Sequence, residues 1–373
     1  MLNRRTLFGS SALAALVGWM TPGRPATAAN AKVHDVEPRG SVGRLERLPS
    51  LDLESREDFL TGFRIWVHKK VRPAASTRAN AIMRAAGHNP RAELPFEKIN
   101  ALIGPDHLVG LSARAWISGQ QLMWKQLQNE FHGDADAYLA EMEAADLAGP
   151  GTLELNPELK LPEYTTHEIH MQPGGYVGDP FAGHIYHYGT NNFWLGENYQ
   201  DEMHGQLAKA VPTPPADGKV LRILDLGCSV GQMSVALKQR YPDAEVWGID
   251  AGGPMVRYAH MRAVDLGVDV NFAQRLAEDT KFPDNYFDVV TSFLLFHEVT
   301  SEAAMQIIKE AHRITRPGGV FFARDPRAWD QLPKPTGFQK WQQWWIWRWN
   351  HEVWAMEHRS NDYEKAFADA GFN

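Results

Sequence analysis

The sequence predicts an α/β fold, an open sheet with helices on both faces over residues 217–373, preceded by a mainly helical cap region. Two observations carry that prediction. In Ile223-Leu-Asp-Leu-Gly-Cys-Ser-Val-Gly-Gln232 an apolar run holding Asp225 gives way to two glycines, Gly227 and Gly231, that open an amphipathic segment over 232–239. This is the pattern of strand, tight turn and helix, which brings bare backbone up to a ligand at a helix N-terminus and implies a nucleotide-like ligand. Strand-like and helix-like segments then alternate through residue 323.

Each element has a local reason. Glu245-Val-Trp-Gly-Ile-Asp250 reads as a second strand ending in an acid, placed where a carboxylate can take ribose hydroxyls. Pro254 suits the first turn of a helix over 255–266. A short third strand is predicted over 268–272 and a fourth over 287–292. A helix over 301–314 starts on a serine, and Arg316-Pro-Gly-Gly319 turns into a fifth strand over 320–323. Upstream, helices are predicted over 59–71, 77–86, 113–131 and 135–147, within a helical region spanning 55–163. Residues 32–54 read as a linker, and 164–216 as a lid segment leading into the cofactor domain.

The spacing of the glycines departs from the G-x-G-x-x-G dinucleotide fingerprint, since Gly227 and Gly231 are four apart and follow Asp225. Together with the segments downstream of it, the run resembles motif I of class I S-adenosylmethionine (SAM) dependent methyltransferases, in the ubiquinone and menaquinone biosynthesis-like branch that acts on small molecules. The stretch Leu276-Ala-Glu-Asp-Thr-Lys-Phe-Pro-Asp-Asn-Tyr-Phe-Asp-Val-Val290 is similar to the family passage that borders the adenine, and Arg316-Pro-Gly-Gly319 to its "KPGG" turn. The resemblance covers about residues 217–372 and implies a Rossmann-like sheet, SAM as cofactor and a small-molecule acceptor. It implies that backbone at Gly227 and Gly231 approaches the methionine end and that Asp225 orders the loop and the cofactor's amino group. Asp250 and Ala251 would serve the ribose. Leu276 stands where many relatives carry an Asp, which shifts adenine recognition to Ala277 and Glu278; Phe293 completes the expected set. The final Ala370-Gly-Phe-Asn373 resembles a family segment that precedes two more strands, so a C-terminally truncated domain is expected.

Acceptor chemistry is expected after strand four and strand five. His297 and Glu298 follow strand four, at the end of the sheet where ligands bind, and would be a general base and the group that orients it. In the segment 341–354, Trp341, Trp344, Trp345 and Trp349 fall near helical spacing. Trp344 and Trp345 are candidates for an aromatic acceptor pocket; packing of the same face onto the helical region is the other reading, and the two can coexist. Tyr186, Tyr188 and residues 198–202 are expected to help close the cofactor site. No metal is expected, because His167-Glu-Ile-His170 lacks the H-E-x-x-H spacing; the histidines of 164–187 read as surface or pocket-lining groups.

One rival chemistry is spelled by the same loop. Gly227-Cys-Ser229-Val-Gly231 fits the G-x-S-x-G nucleophile elbow of α/β-hydrolases, with Asp288 or Asp325 and His351 or His358 as partners in chain order. Under that reading Asp225, Asp250 and the Pro-Gly-Gly turn have no role, and no HGG-type oxyanion sequence precedes the elbow.

Composition narrows the partners. At 373 residues and 44% hydrophobic content the chain exceeds one typical domain and can build a large core. A net charge of −7 argues against a nucleic-acid partner, since binding a polyanion needs a basic face. Cys228 is the sole cysteine and reads as a small buried residue beside the glycine loop. At the N-terminus, Asn3-Arg-Arg-Thr-Leu-Phe8 resembles the twin-arginine export signal, followed by an apolar stretch too short to span a membrane and by small residues up to Ala31. Residues 1–31 are therefore assigned as a signal peptide, which implies a periplasmic or exported protein without stable membrane insertion after signal removal; a cytoplasmic protein results if the signal is not used. Because SAM is consumed at each turnover, an exported protein that binds SAM or a nucleoside without catalysis is the alternative function.

Overall fold

Side chains that alternate along buried strands give the sheet two apolar faces, and helices cover both. The computed structural model describes residues 43–45, 47–326 and 334–372. The predicted signal peptide lies outside the described residues.

The N-terminal region is helical. α1 (Leu51–Trp66) runs through a π-helical turn, Val67–Val71, into α2 (Arg72–Ala85). The two separate helices expected here are one continuous run, because Pro73 falls in the first turn of α2, where its missing N–H interrupts little. α3 (Phe96–Ile103), for which no helix was expected, is followed by α4 (His107–Gly133) and α5 (Ala135–Asp146). A two-residue strand, β1 (Leu153–Glu154), and α6 (Ala182–Phe193) and α7 (Glu202–Ala210) precede the glycine loop.

From there the predicted alternation holds. β2 (Arg222–Leu226), α8 (Gln232–Arg240), β3 (Glu245–Asp250), α9 (Gly253–Asp265), β4 (Asn271–Gln274), β5 (Phe287–Phe293), α10 (Ser301–Ile314) and β6 (Thr315–Arg324) come in order. The third strand starts three residues later than predicted. Gly267 and Val268 donate to Val264 and Ala263, so they close the end of α9 instead of opening the strand. α11 (Gly337–Trp349), α12 (Ala355–Ser360) and α13 (Tyr363–Ala370) complete the described chain.

Among the described residues the sheet has six strands in the order β1-β4-β3-β2-β5-β6, and every pairing is parallel. The order reverses between β2 and its two neighbours, β3 and β5, which makes the carboxyl ends of these strands the natural ligand crevice. The Pro-Gly-Gly turn appears as a register shift: Thr315 pairs with Phe287, but Val320 pairs with Val289. Ile223, Val246 and Val289 face α8 and α9, while Leu224, Ile249 and Val290 face α10.

The described residues form one compact unit. The helical region packs directly on the sheet domain: Trp124 and Phe131 of α4 share a core with Tyr188 of α6 and Tyr258 of α9. Among the described residues no helix is long and apolar enough to cross a membrane.

Candidate active site

A cavity opens at the carboxyl ends of β2, β3 and β5, lined by the glycine loop, the end of β3, the turn after β5 and the lid segment. Of the predicted site residues, Gly227, Asp250, Ala251, Ala277, Glu278, Phe293 and Glu298 line it. Asp225, Gly231, His297, Trp344 and Trp345 do not.

The glycine loop divides its labour. Gly227 has φ +65° and lines the cavity, and a Cβ there would meet Leu295 at 2.9 Å, so backbone is the only surface this position can offer. Gly231, at φ +72°, starts α8; a Cβ would meet the Phe272 ring at 2.7 Å, so this glycine lets helix pack on sheet and is not a ligand contact. Asp225 is 1% exposed, and its two oxygens accept from the hydroxyls of Ser234 at 2.7 Å and Thr291 at 3.1 Å. It ties β2 to α8 and β5 from beneath the loop, so the contact to a cofactor amino group implied by the resemblance is not made from the cavity wall. Burial pushes its carboxyl up to about 7, against the pull of both hydroxyls. Cys228 is buried, as expected, and burial raises its thiol well above the usual range, which makes it inert.

Asp250 ends β3 at the cavity wall. Its Oδ1 accepts from the Gly252 N–H at 2.9 Å and its Oδ2 from the Ser229 N–H at 3.0 Å, and each oxygen keeps a lone pair for a hydroxyl donor. Glu278 accepts from the Tyr164 hydroxyl. Three tyrosines of the lid segment, Tyr164, Tyr176 and Tyr186, also line the cavity, with Tyr176 and Tyr186 edge to face at 5.6 Å. Tyr186 was expected there. Tyr188 is instead core, 5.1 Å from the Phe131 ring, and Asp201 of the 198–202 stretch pairs with the buried Arg262 away from the cavity.

Register brings the post-strand loops together. Phe293 of β5 pairs with Arg324 of β6, so the next turns run side by side and the His297 Nδ1 meets Asp325 Oδ1 at 2.8 Å. Glu298 Oε1 lies 3.4 Å from His297 Nε2 and 3.1 Å from His170 Nε2, a residue 128 positions away. Burial would lower the His297 pKa, but the Asp325 bond and the Glu298 charge prevail and lift it to about 9. The position after strand four that suggested a general base thus holds His297 in a buried pair with Asp325. Burial would raise Glu298; the charges of His170 and His297 outweigh it and hold the carboxyl low, so the ionised group at the cavity wall is Glu298.

The tryptophan segment belongs to the other reading. Trp341 is 2% exposed and donates to Asn100 Oδ1 at 2.9 Å; Trp344 stacks on Phe96 at 4.8 Å, and Trp345 lies against Trp341 at 5.6 Å. α11 therefore packs onto α2 and α3. The histidines also differ from expectation: His184 and His187 are fully buried, and His187 Nδ1 meets the Tyr258 hydroxyl at 2.8 Å.

Among the described residues no hydrolase triad assembles. Asp288 binds the Leu221 and Arg222 N–H groups and Arg316 at the opposite end of the sheet from Ser229. His358 engages the Tyr363 hydroxyl and the Pro326 carbonyl, and His351 Nδ1 the Glu168 carbonyl.

A glycine backbone, a strand-end acid and an adenine-side carboxylate around one crevice fit SAM, and the comparisons agree. Residues 223–319 match the methyltransferase-domain family model. This segment is similar to the methyltransferase domain of SAM-dependent enzymes. The ubiquinone/menaquinone biosynthesis C-methyltransferase UbiE of Burkholderia orbicola is 35% identical over 115 residues, 30% of this chain and 46% of that protein. The ubiquinone biosynthesis O-methyltransferase of Pseudomonas aeruginosa is 34% identical over 140 residues, 36% of this chain and 53% of that protein. The chain spans about half the length of these curated relatives. Among solved structures, the PH0226 protein of Pyrococcus horikoshii is 27% identical, covering 36% of this chain and 57% of that one, with a TM-score of 0.31.

Proposed function

We propose that this protein transfers the methyl group of SAM to a small organic acceptor with an aromatic or otherwise apolar face, and that it does so after export by the twin-arginine route. The observation that carries the reading is one cavity lined by two kinds of group. Asp250, Gly227 and Glu278 suit the cofactor, and the rings of Tyr176, Tyr186 and Phe293 suit a flat apolar acceptor.

When bound, SAM supplies an electrophilic methyl group. Asp250 would accept the ribose hydroxyls, backbone at Gly227 would admit the methionine end, and Ala277 with Glu278 would border the adenine. The residues of the chain then act by orientation. Methyl transfer to an acceptor that is already nucleophilic needs in-line placement and no obligatory base. An ionised Glu298 at the cavity wall is positioned to hold an acceptor hydroxyl or amine.

The test incubates the full chain with methyl-labelled SAM and a native extract and reads labelled small molecules by mass spectrometry. A labelled product supports the proposal. Calorimetric binding of SAM with no labelled product supports the binding protein without catalysis, and no binding removes the cofactor assignment.

A further inference from the structure

Three side chains from two distant parts of the sequence converge beside the cavity. His170 Nε2, His297 Nε2 and a Glu298 oxygen lie within 4.8 Å of one another, with Glu298 Oε1 3.1 Å and 3.4 Å from the two ring nitrogens. Ligands at 2.0–2.1 Å around a tetrahedral zinc ion stand roughly 3.3 Å apart, so two edges of such a site are already near length. We propose that His170, His297 and Glu298 bind one divalent transition-metal ion, zinc being the ion best suited to two imidazoles and a carboxylate with a fourth position open.

Three further observations point the same way. Metal-bound imidazoles characteristically have the other ring nitrogen backed by a carboxylate, and His297 does: its Nδ1 lies 2.8 Å from Asp325. Glu298 Oε2 is buried and makes no hydrogen bond. Such an orphaned oxygen calls for a partner. His170 is also held in a left-handed conformation, φ +54°, while its carbonyl accepts from Gln120 Nε2 at 2.6 Å and Trp124 Nε1 at 2.7 Å. Helix α4 thus fixes the ring in a backbone state that a non-glycine residue rarely adopts without a reason. The ligand set is scattered, so the His-x-x-His spacing at 167–170 carries no trace of it.

The inference concerns metal binding alone, so its failure is distinguishable from failure of the methyl-transfer reading. The full chain is stripped with chelator, desalted and titrated with zinc chloride by calorimetry, and bound zinc is counted by elemental mass spectrometry. One zinc per chain is expected. Glu298→Gln and His170→Ala should each weaken zinc about tenfold or more, and Asp325→Asn, which acts only through the His297 ring, about 10–100-fold. Cobalt(II) in place of zinc should give a visible absorption that Glu298→Gln abolishes. Circular dichroism shows which variants are folded, and if His170→Ala is not, the isosteric Glu298→Gln decides. A wild-type chain that retains no zinc, or folded Glu298→Gln that binds it as tightly as wild type, overturns the proposal.

Discussion

Asp225 sits where water cannot reach it, and its titration should mark the stability of the whole chain. Its folded pKa is raised from 3.8 to about 7, so between those values the folded chain holds a proton that the unfolded chain has lost. Stability from this group is present in full below about pH 4 and falls as pH rises towards 7, by at most roughly 4 kcal/mol at 1.36 kcal/mol per unit. Asp225→Asn keeps the shape and removes the titration. Its melting temperature, measured from pH 5 to 8, should therefore fall less with pH than that of wild type; parallel curves would refute the assignment. Asp250→Ala, by contrast, should weaken SAM binding by about 1.5–3 kcal/mol through loss of charge-assisted hydrogen bonds, read by calorimetry. Ser229→Ala should leave methyl transfer nearly intact, since Ser229 acts through its N–H to Asp250; abolished turnover with unchanged SAM affinity would point back to a nucleophile. At this scale the sequence named the cavity-lining Asp250, Gly227 and Glu278, because strand-end acids and tight glycine turns are local features. It could not show that Asp225 and Gly231 stand behind the cavity lining, because their partners Thr291 and Phe272 come from other strands.

Helix α11 shows how periodicity can identify an element without identifying its neighbour. The tryptophan spacing called for a helix with one aromatic face, and the structure turns that face onto α2 and α3, with Trp341 buried against Phe338 and Asn100. Trp341→Ala should then destabilise the protein by about 3–5 kcal/mol in denaturant melts while SAM affinity in the folded variant stays the same. A substantial loss of acceptor turnover in Trp344→Ala at unchanged stability would return the segment to the active site. The tyrosines that line the cavity have the opposite history. Tyr164 and Tyr176 carry no periodicity that marks them, and they reach the cavity only because the lid segment folds back over the carboxyl ends of the strands.

For the whole molecule, the paired arginines give the remaining prediction. Arg4→Lys with Arg5→Lys should keep the precursor in the cytoplasm, while wild type is cleaved near Ala28 or Ala31 and exported; fractionation of the native host checks this, and full-length wild type in the cytoplasm would count against export. Sequence alone determined the α/β sheet class, the succession of its strands along the chain from β2 to β6 and the expectation of SAM as cofactor. Each of those rests on short-range patterns: alternating apolar residues, a glycine turn, an acid closing a strand. Tertiary structure decided the rest. Strand β1 extends the sheet at Phe272 from more than a hundred residues upstream, His170 meets Glu298 across 128 positions, and the parallel register of β5 and β6 brings His297 against Asp325. Such contacts depend on which chain segments the core brings together, and a pKa depends on which charges then face it in a buried place. Neither quantity is encoded in the spacing of residues along the chain.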